Sequence, residues 1–193
     1  VKERLAEMDI IRRATYEVAK ATKGGDRFVD DIAVSLDGKT VFISRSNLSD
    51  VIAIDLSSPD HRILWRFPIP GINADHMGIS PDGKHIAVSA TSDGHFFVID
   101  TATGKQVAKV PTGAFPHQND YSPDGKYILY SMAVSGNTDI YRVPATGGAS
   151  VKLTDNPGID VGGSYSPDGS KIVFESDRGG RQQLRFQRSI DQI

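Results

Sequence analysis

The chain has no cysteine among its 193 residues. Disulfides, thiol catalysis and cysteine-ligated zinc are thereby excluded. Neither sign of charge dominates: 22 Lys and Arg stand against 24 Asp and Glu, a formal net charge of −2. That balance leaves no basic footprint for a nucleic acid. No apolar run approaches the roughly 20 residues that a membrane-spanning helix needs, so no membrane insertion is expected. The hydrolase elbow Gly-x-Ser-x-Gly and the zinc motif His-Glu-x-x-His are both missing. The Gly pairs at 24–25, 147–148 and 179–180 lie in turn-like surroundings rather than between a strand and a helix, which makes them poor phosphate cradles.

Glycine and proline, by contrast, are well supplied, with 19 and 10 copies, and many of them fall in one recurring motif. It reads Ser35-Leu36-Asp37-Gly38, Ser80-Pro81-Asp82-Gly83, Ser122-Pro123-Asp124-Gly125 and Ser166-Pro167-Asp168-Gly169. The motif returns every 42–45 residues, the period of a repeat architecture. Pro presets φ, Asp bonds its own backbone, and Gly takes the positive φ of a tight reversal. Each copy is therefore predicted to be a hairpin turn between two strands. A short strand precedes each turn, and three more are predicted to follow it wherever the repeat is complete. Their β-branched and aromatic content suits strands rather than helices.

Four short strands per period are the unit of a β-propeller blade. The sequence thus predicts an all-β fold, one domain of four blades over about 26–68, 72–111, 115–154 and 158–190. The last repeat lacks a fourth strand, and residues 10–21 stand at the matching offset before the first motif. A strand there would complete the last blade, its own or that of a second copy, and remove two open edges. Residues 1–9 are left open between helix and strand.

The first three repeats resemble surface-layer and YVTN-type propellers, in "AVSLDGKTVFIS" and "DHMGISPDGKHIAVSATSDGHFFVIDTATGKQVAKVPTG". The later part resembles the propeller of the TolB family, in "GNTDIYRVPATGG" and "KLTDNPGIDVGGSYSPDGSKIVFESDRGGRQQL". The style changes near residues 126–131, which predicts a chimeric or designed chain, and a designed chain implies no natural ligand. The TolB resemblance implies a non-catalytic binding or assembly scaffold with a protein partner, in a periplasmic or extracellular setting.

In a propeller the innermost strands line a central channel, and their entry loops form one mouth. The equivalent entry positions carry Asp30, Asp75 and His117, then Asp31, His76 and Gln118, with Asp160 one step earlier in the last blade. These are the candidate mouth residues for binding. Asp oxygens and His nitrogens are suitable ligands for a divalent cation, with Asp30, Asp75 and His117 as ligands and Asp160 as a fourth. The competing reading is a solvated polar mouth with no cofactor. A channel metal would also allow a lactonase-like or lyase-like propeller enzyme. Four repeats are few for a ring, so a homodimer completing an eight-bladed propeller is expected.

Overall fold

The computed structural model of the protein describes residues 29–71, 73–113 and 115–189. All regular structure among them is β. Blade one comprises β1 (Val29–Val34), β2 (Thr40–Arg45), β3 (Asp50–Asp55) and β4 (Ile63–Pro68). Blade two comprises β5 (Ala74–Ile79), β6 (His85–Ala90), β7 (His95–Asp100) and β8 (Gln106–Pro111). Blade three comprises β9 (Pro116–Tyr121), β10 (Tyr127–Val134), β11 (Asn137–Pro144) and the two-residue β12 (Val151–Lys152). Blade four has β13 (Asp160–Tyr165), β14 (Lys171–Ser176) and β15 (Gln183–Arg188). Every paired strand is antiparallel to its neighbour. The strand expected over 10–21 lies outside the described residues.

The Ser-x-Asp-Gly motifs close the hairpins between the first and second strands of all four blades. In blade two the Ser80 hydroxyl donates to Asp82 Oδ1 at 2.7 Å and accepts the His85 N–H at 2.9 Å. The Gly83 N–H donates to the Ser80 carbonyl at 2.8 Å, with Gly83 at φ +70°. The same hydroxyl bonds recur at Ser35, Ser122 and Ser166. One hydroxyl thus satisfies a carboxylate and a backbone donor at once, which explains why Ser opens each motif.

Side chains alternate across each sheet and supply the layers between blades. Phe42, Val51 and Ala53 of blade one meet Ile86, Val88, Phe97 and Ile99 of blade two. Ala87, Phe96 and Val98 turn the other way and meet Ile128, Tyr130 and Val143. Leu129 and Ile140 meet Ile172 and Phe174 of blade four. Each buried side chain of this size stabilises the fold by about 1.5–3 kcal/mol.

The inner strands also hold one another by polar contacts. Asp31 Oδ2 accepts the Met77 N–H at 2.8 Å. Asn119 Nδ2 donates to the His76 carbonyl at 3.0 Å and to Ser89 Oγ at 2.9 Å. Ser164 donates to Asp120 at 2.8 Å. A Cβ on Gly78 would stand 2.7 Å from Asn119 Oδ1, so glycine is what lets β5 and β9 approach. β1 packs on β5, β5 on β9 and β9 on β13, whereas β13 has no comparable packing on β1. The four described blades therefore form an arc with β1, β5, β9 and β13 along its inner edge.

Candidate functional site

Each inner strand carries one residue too many near its start. Pairing slips between Val29 and Asp31 in β1, between Ala74 and Met77 in β5, between Tyr130 and Ser131 opposite β9, and between Val161 and Ser164 in β13. Such bulges re-aim side chains that a regular strand would send into the sheet faces. They fall on the residues expected at the mouth.

Three of those residues meet. Asp75, His76 and His117 each offer a ligand atom within 4.8 Å of the others. His117 Nε2 lies 3.0 Å from Asp75 Oδ2, and His76 Nε2 lies 3.6 Å from Asp75 Oδ1. The two imidazoles stand edge to face, 4.7 Å between centroids. Thr91 Oγ1 donates to Asp75 Oδ2 at 3.1 Å and fixes the carboxylate from behind. Asp31 backs His76 in the same way, its Oδ2 3.6 Å from Nδ1. Asp31 is itself held by the Ile32 and Met77 N–H groups, both at 2.8 Å.

The electrostatics follow from this arrangement. Burial pushes the Asp75 carboxyl up, but the His117 hydrogen bond, both imidazoles and Thr91 outweigh it and hold it below its usual range. The Asp31 carboxylate beside Nδ1 raises His76 against the opposing effect of burial, with help from the charges of Asp75 and Asp30. The His117 side chain remains 51% exposed, so the cluster is open on one side.

The other expected residues do different work. Asp30 is exposed, stands outside the cluster, and accepts the Ser46 N–H at 2.7 Å. Gln118 faces Gly162 of blade four, whose added Cβ would lie 3.6 Å from its Oε1. Asp160 is fully buried against the Arg178 guanidinium and cannot serve as a fourth ligand at the mouth. The reason is register: Asp160 opposes Ser176 as Ala74 opposes Ala90 and Pro116 opposes Met132, a position that points inward. His76 and not Asp30 completes the set, and the bulge in β5 is the device that brings it there.

A family model described as the TolB beta propeller domain matches residues 77–192. That range includes residues 126–131, where the sequence suggests a junction. A TolB homolog of Chlorobium chlorochromatii is 34% identical over 164 residues, covering 78% of this chain and 36% of that protein. An uncharacterised protein of Agrobacterium fabrum is 34% identical over 116 residues, 58% of this chain and 39% of its own length. This chain therefore spans well under half of either relative. The solved structure of a putative TolB from Agrobacterium tumefaciens superposes with a TM-score of 0.71 at 25% identity, over 83% of this chain and 58% of that one.

Proposed function

The chain belongs to the TolB β-propeller domain family, and we propose that it is a non-catalytic binding scaffold of the bacterial periplasm that engages a polypeptide partner through the mouth formed by Asp31, Asp75, His76 and His117. The observation that carries this reading is the half-open cluster of Asp75, His76 and His117, held rigid from behind by Thr91 and Asp31. Two imidazole nitrogens and one carboxylate are a donor set for a zinc-class divalent cation rather than for calcium or magnesium. Asp31, 3.6 Å from His76 Nδ1, favours the proton on that nitrogen and leaves Nε2 as the donor, as outer-shell carboxylates do beside metal-binding histidines. A cation seated there keeps a coordination position on the His117 side for a carboxylate or imidazole of the partner.

Calorimetry on the tag-free chain with ZnCl₂ and, separately, CaCl₂ tests the cation. One-to-one zinc binding is expected, with at least tenfold loss in Asp75→Asn and His117→Ala. Asp31→Asn, which touches no cation, should weaken it about 10–100-fold. Tighter calcium than zinc binding, or zinc binding indifferent to His117→Ala, would overturn the cation. The scaffold reading is tested by capture of periplasmic proteins: a partner retained equally by the unaltered chain and by Asp75→Asn/His117→Ala would place the contact elsewhere.

A further inference from the structure

A cleft of about 720 Å³ opens between blades two and three, at the hairpin-turn end of the blades and away from the mouth. Its walls include Val98, Ala108, Tyr121, Pro123 and Ala145. The neighbouring interface, between blades one and two, is closed at the equivalent place by Trp65. The indole stacks on Phe42 at 5.7 Å and donates its Nε1–H to the Thr101 carbonyl at 3.0 Å. It fills the space so completely that a Cβ on Gly104 would come within 2.6 Å of the ring.

The two interfaces correspond residue by residue. Trp65 pairs with Ala53 and Ala53 with Phe42, whereas Ala108 pairs with Val98 and Val98 with Ala87. Phe42 and Ala87 each stand seven places after their motif serine, so Ala108 occupies the Trp65 position. Thr101 and Ala145 correspond too. Each N–H donates to the carbonyl of the Lys that ends the turn, Thr101 to Lys84 at 2.9 Å and Ala145 to Lys126 at 2.8 Å. Blade two thus lacks the indole that blade one supplies, and the space remains. Tyr121, only 5% exposed, replaces the Ile79 of blade two on the wall. Its buried hydroxyl meets no hydrogen-bond partner among the described residues.

We propose that this cleft binds an indole ring, seated as Trp65 is seated one blade earlier. The ring lies against Val98 and Ala108, and its N–H donates to the Ala145 carbonyl. This site is separate from the mouth and does not depend on the reading given above. Backbone-amide NMR on the full chain, titrated with N-acetyl-tryptophanamide and with free indole, tests it. Saturable shifts centred on Ala108, Tyr121 and Ala145 are expected. Ala108→Trp fills the space from within and should abolish them while raising the unfolding midpoint. Ala108→Leu, a smaller filler, should weaken them if the tryptophan variant does not fold. Tighter binding of the amide than of indole would identify a peptide-borne tryptophan as the natural occupant, and the reverse a free indole. Absence of shifts up to the solubility limit, or shifts that persist in both filled variants, would overturn the proposal.

Discussion

Gly83 and Gly125 sit at φ +70° and +73° in the same turn of successive blades, where any other residue is strained. Replacing either by Val should cost about 1–3 kcal/mol. Gly83→Val should cost more, because its Cβ would stand 2.9 Å from Leu36, whereas the nearest atom to Gly125 is Pro81 Cδ at 3.7 Å. Denaturant midpoints of the two variants check the ranking. The turn carboxylates make a second residue-scale prediction. The Ser122 hydroxyl, then the Lys126 N–H and side chain, hold Asp124 at about 2, and Ser166 with Ser170 hold Asp168 at about 2. A carboxyl depressed in the folded state contributes stability that is fully present above its unfolded value near 3.8 and is lost as pH falls toward 2. Unfolding curves between pH 5 and pH 2 should show that loss, and Asp124→Asn should flatten its own share. A midpoint that stays constant across this window would contradict the turn geometry.

At the scale of the element, the inner strands are joined by few but specific bonds. Asn119 bridges β9 to β5 through the His76 carbonyl and to β6 through Ser89. Asn119→Ala leaves both groups without it and should cost about 1–3 kcal/mol. If zinc is held at the mouth as proposed, its affinity should fall as well, because the His76 backbone moves with Asn119. Calorimetry of the variant reads both effects, and unchanged affinity would show that β5 is positioned without β9. Trp65 is the corresponding outer-strand element. Trp65→Ala should cost about 3 kcal/mol at most, the low end of the range for a large core aromatic because the indole is only partly buried, and opens between blades one and two a cleft like the one already present between two and three.

At the scale of the whole molecule, the last described blade presents an open apolar face. Val173, Leu184 and Phe186 lie on the side of blade four that turns away from blade three, with Leu184 66% and Phe186 73% exposed. The equivalent side chains in blades one and two, Phe42, Val51 and Ala53 and then Ala87, Phe96 and Val98, are buried against the next blade. An apolar blade face of this kind drives association. Light scattering at micromolar concentration should give a mass above the 20.9 kDa of one chain, as a homodimer completing a ring requires. Phe186→Glu together with Leu184→Lys should return it to one chain. A single 20.9 kDa species for the unaltered protein would show that the face stays open.

The periodic Ser-x-Asp-Gly turns determined the blade and its strand order, because turn chemistry and period-two alternation act between residues close in the chain. They also put Asp75 and His117 at equivalent depth in their inner strands, and the two side chains stand 3.0 Å apart. Only the tertiary structure decided the rest. Whether Asp30 or His76 joins them depends on where each inner strand bulges, and a bulge is defined only once a strand is in register with its neighbour. Asp160 reads as a mouth residue along the chain but is buried beside Arg178, a partner 18 positions away. The cleft beside Ala108 is likewise invisible in the sequence, since an alanine announces space only when the opposite wall is known. The buried Arg45–Asp50 pair, 2.6 Å apart, carries no local signal either. Burial is a property of what packs on a residue, and that is fixed by blades some 40 residues apart in the chain.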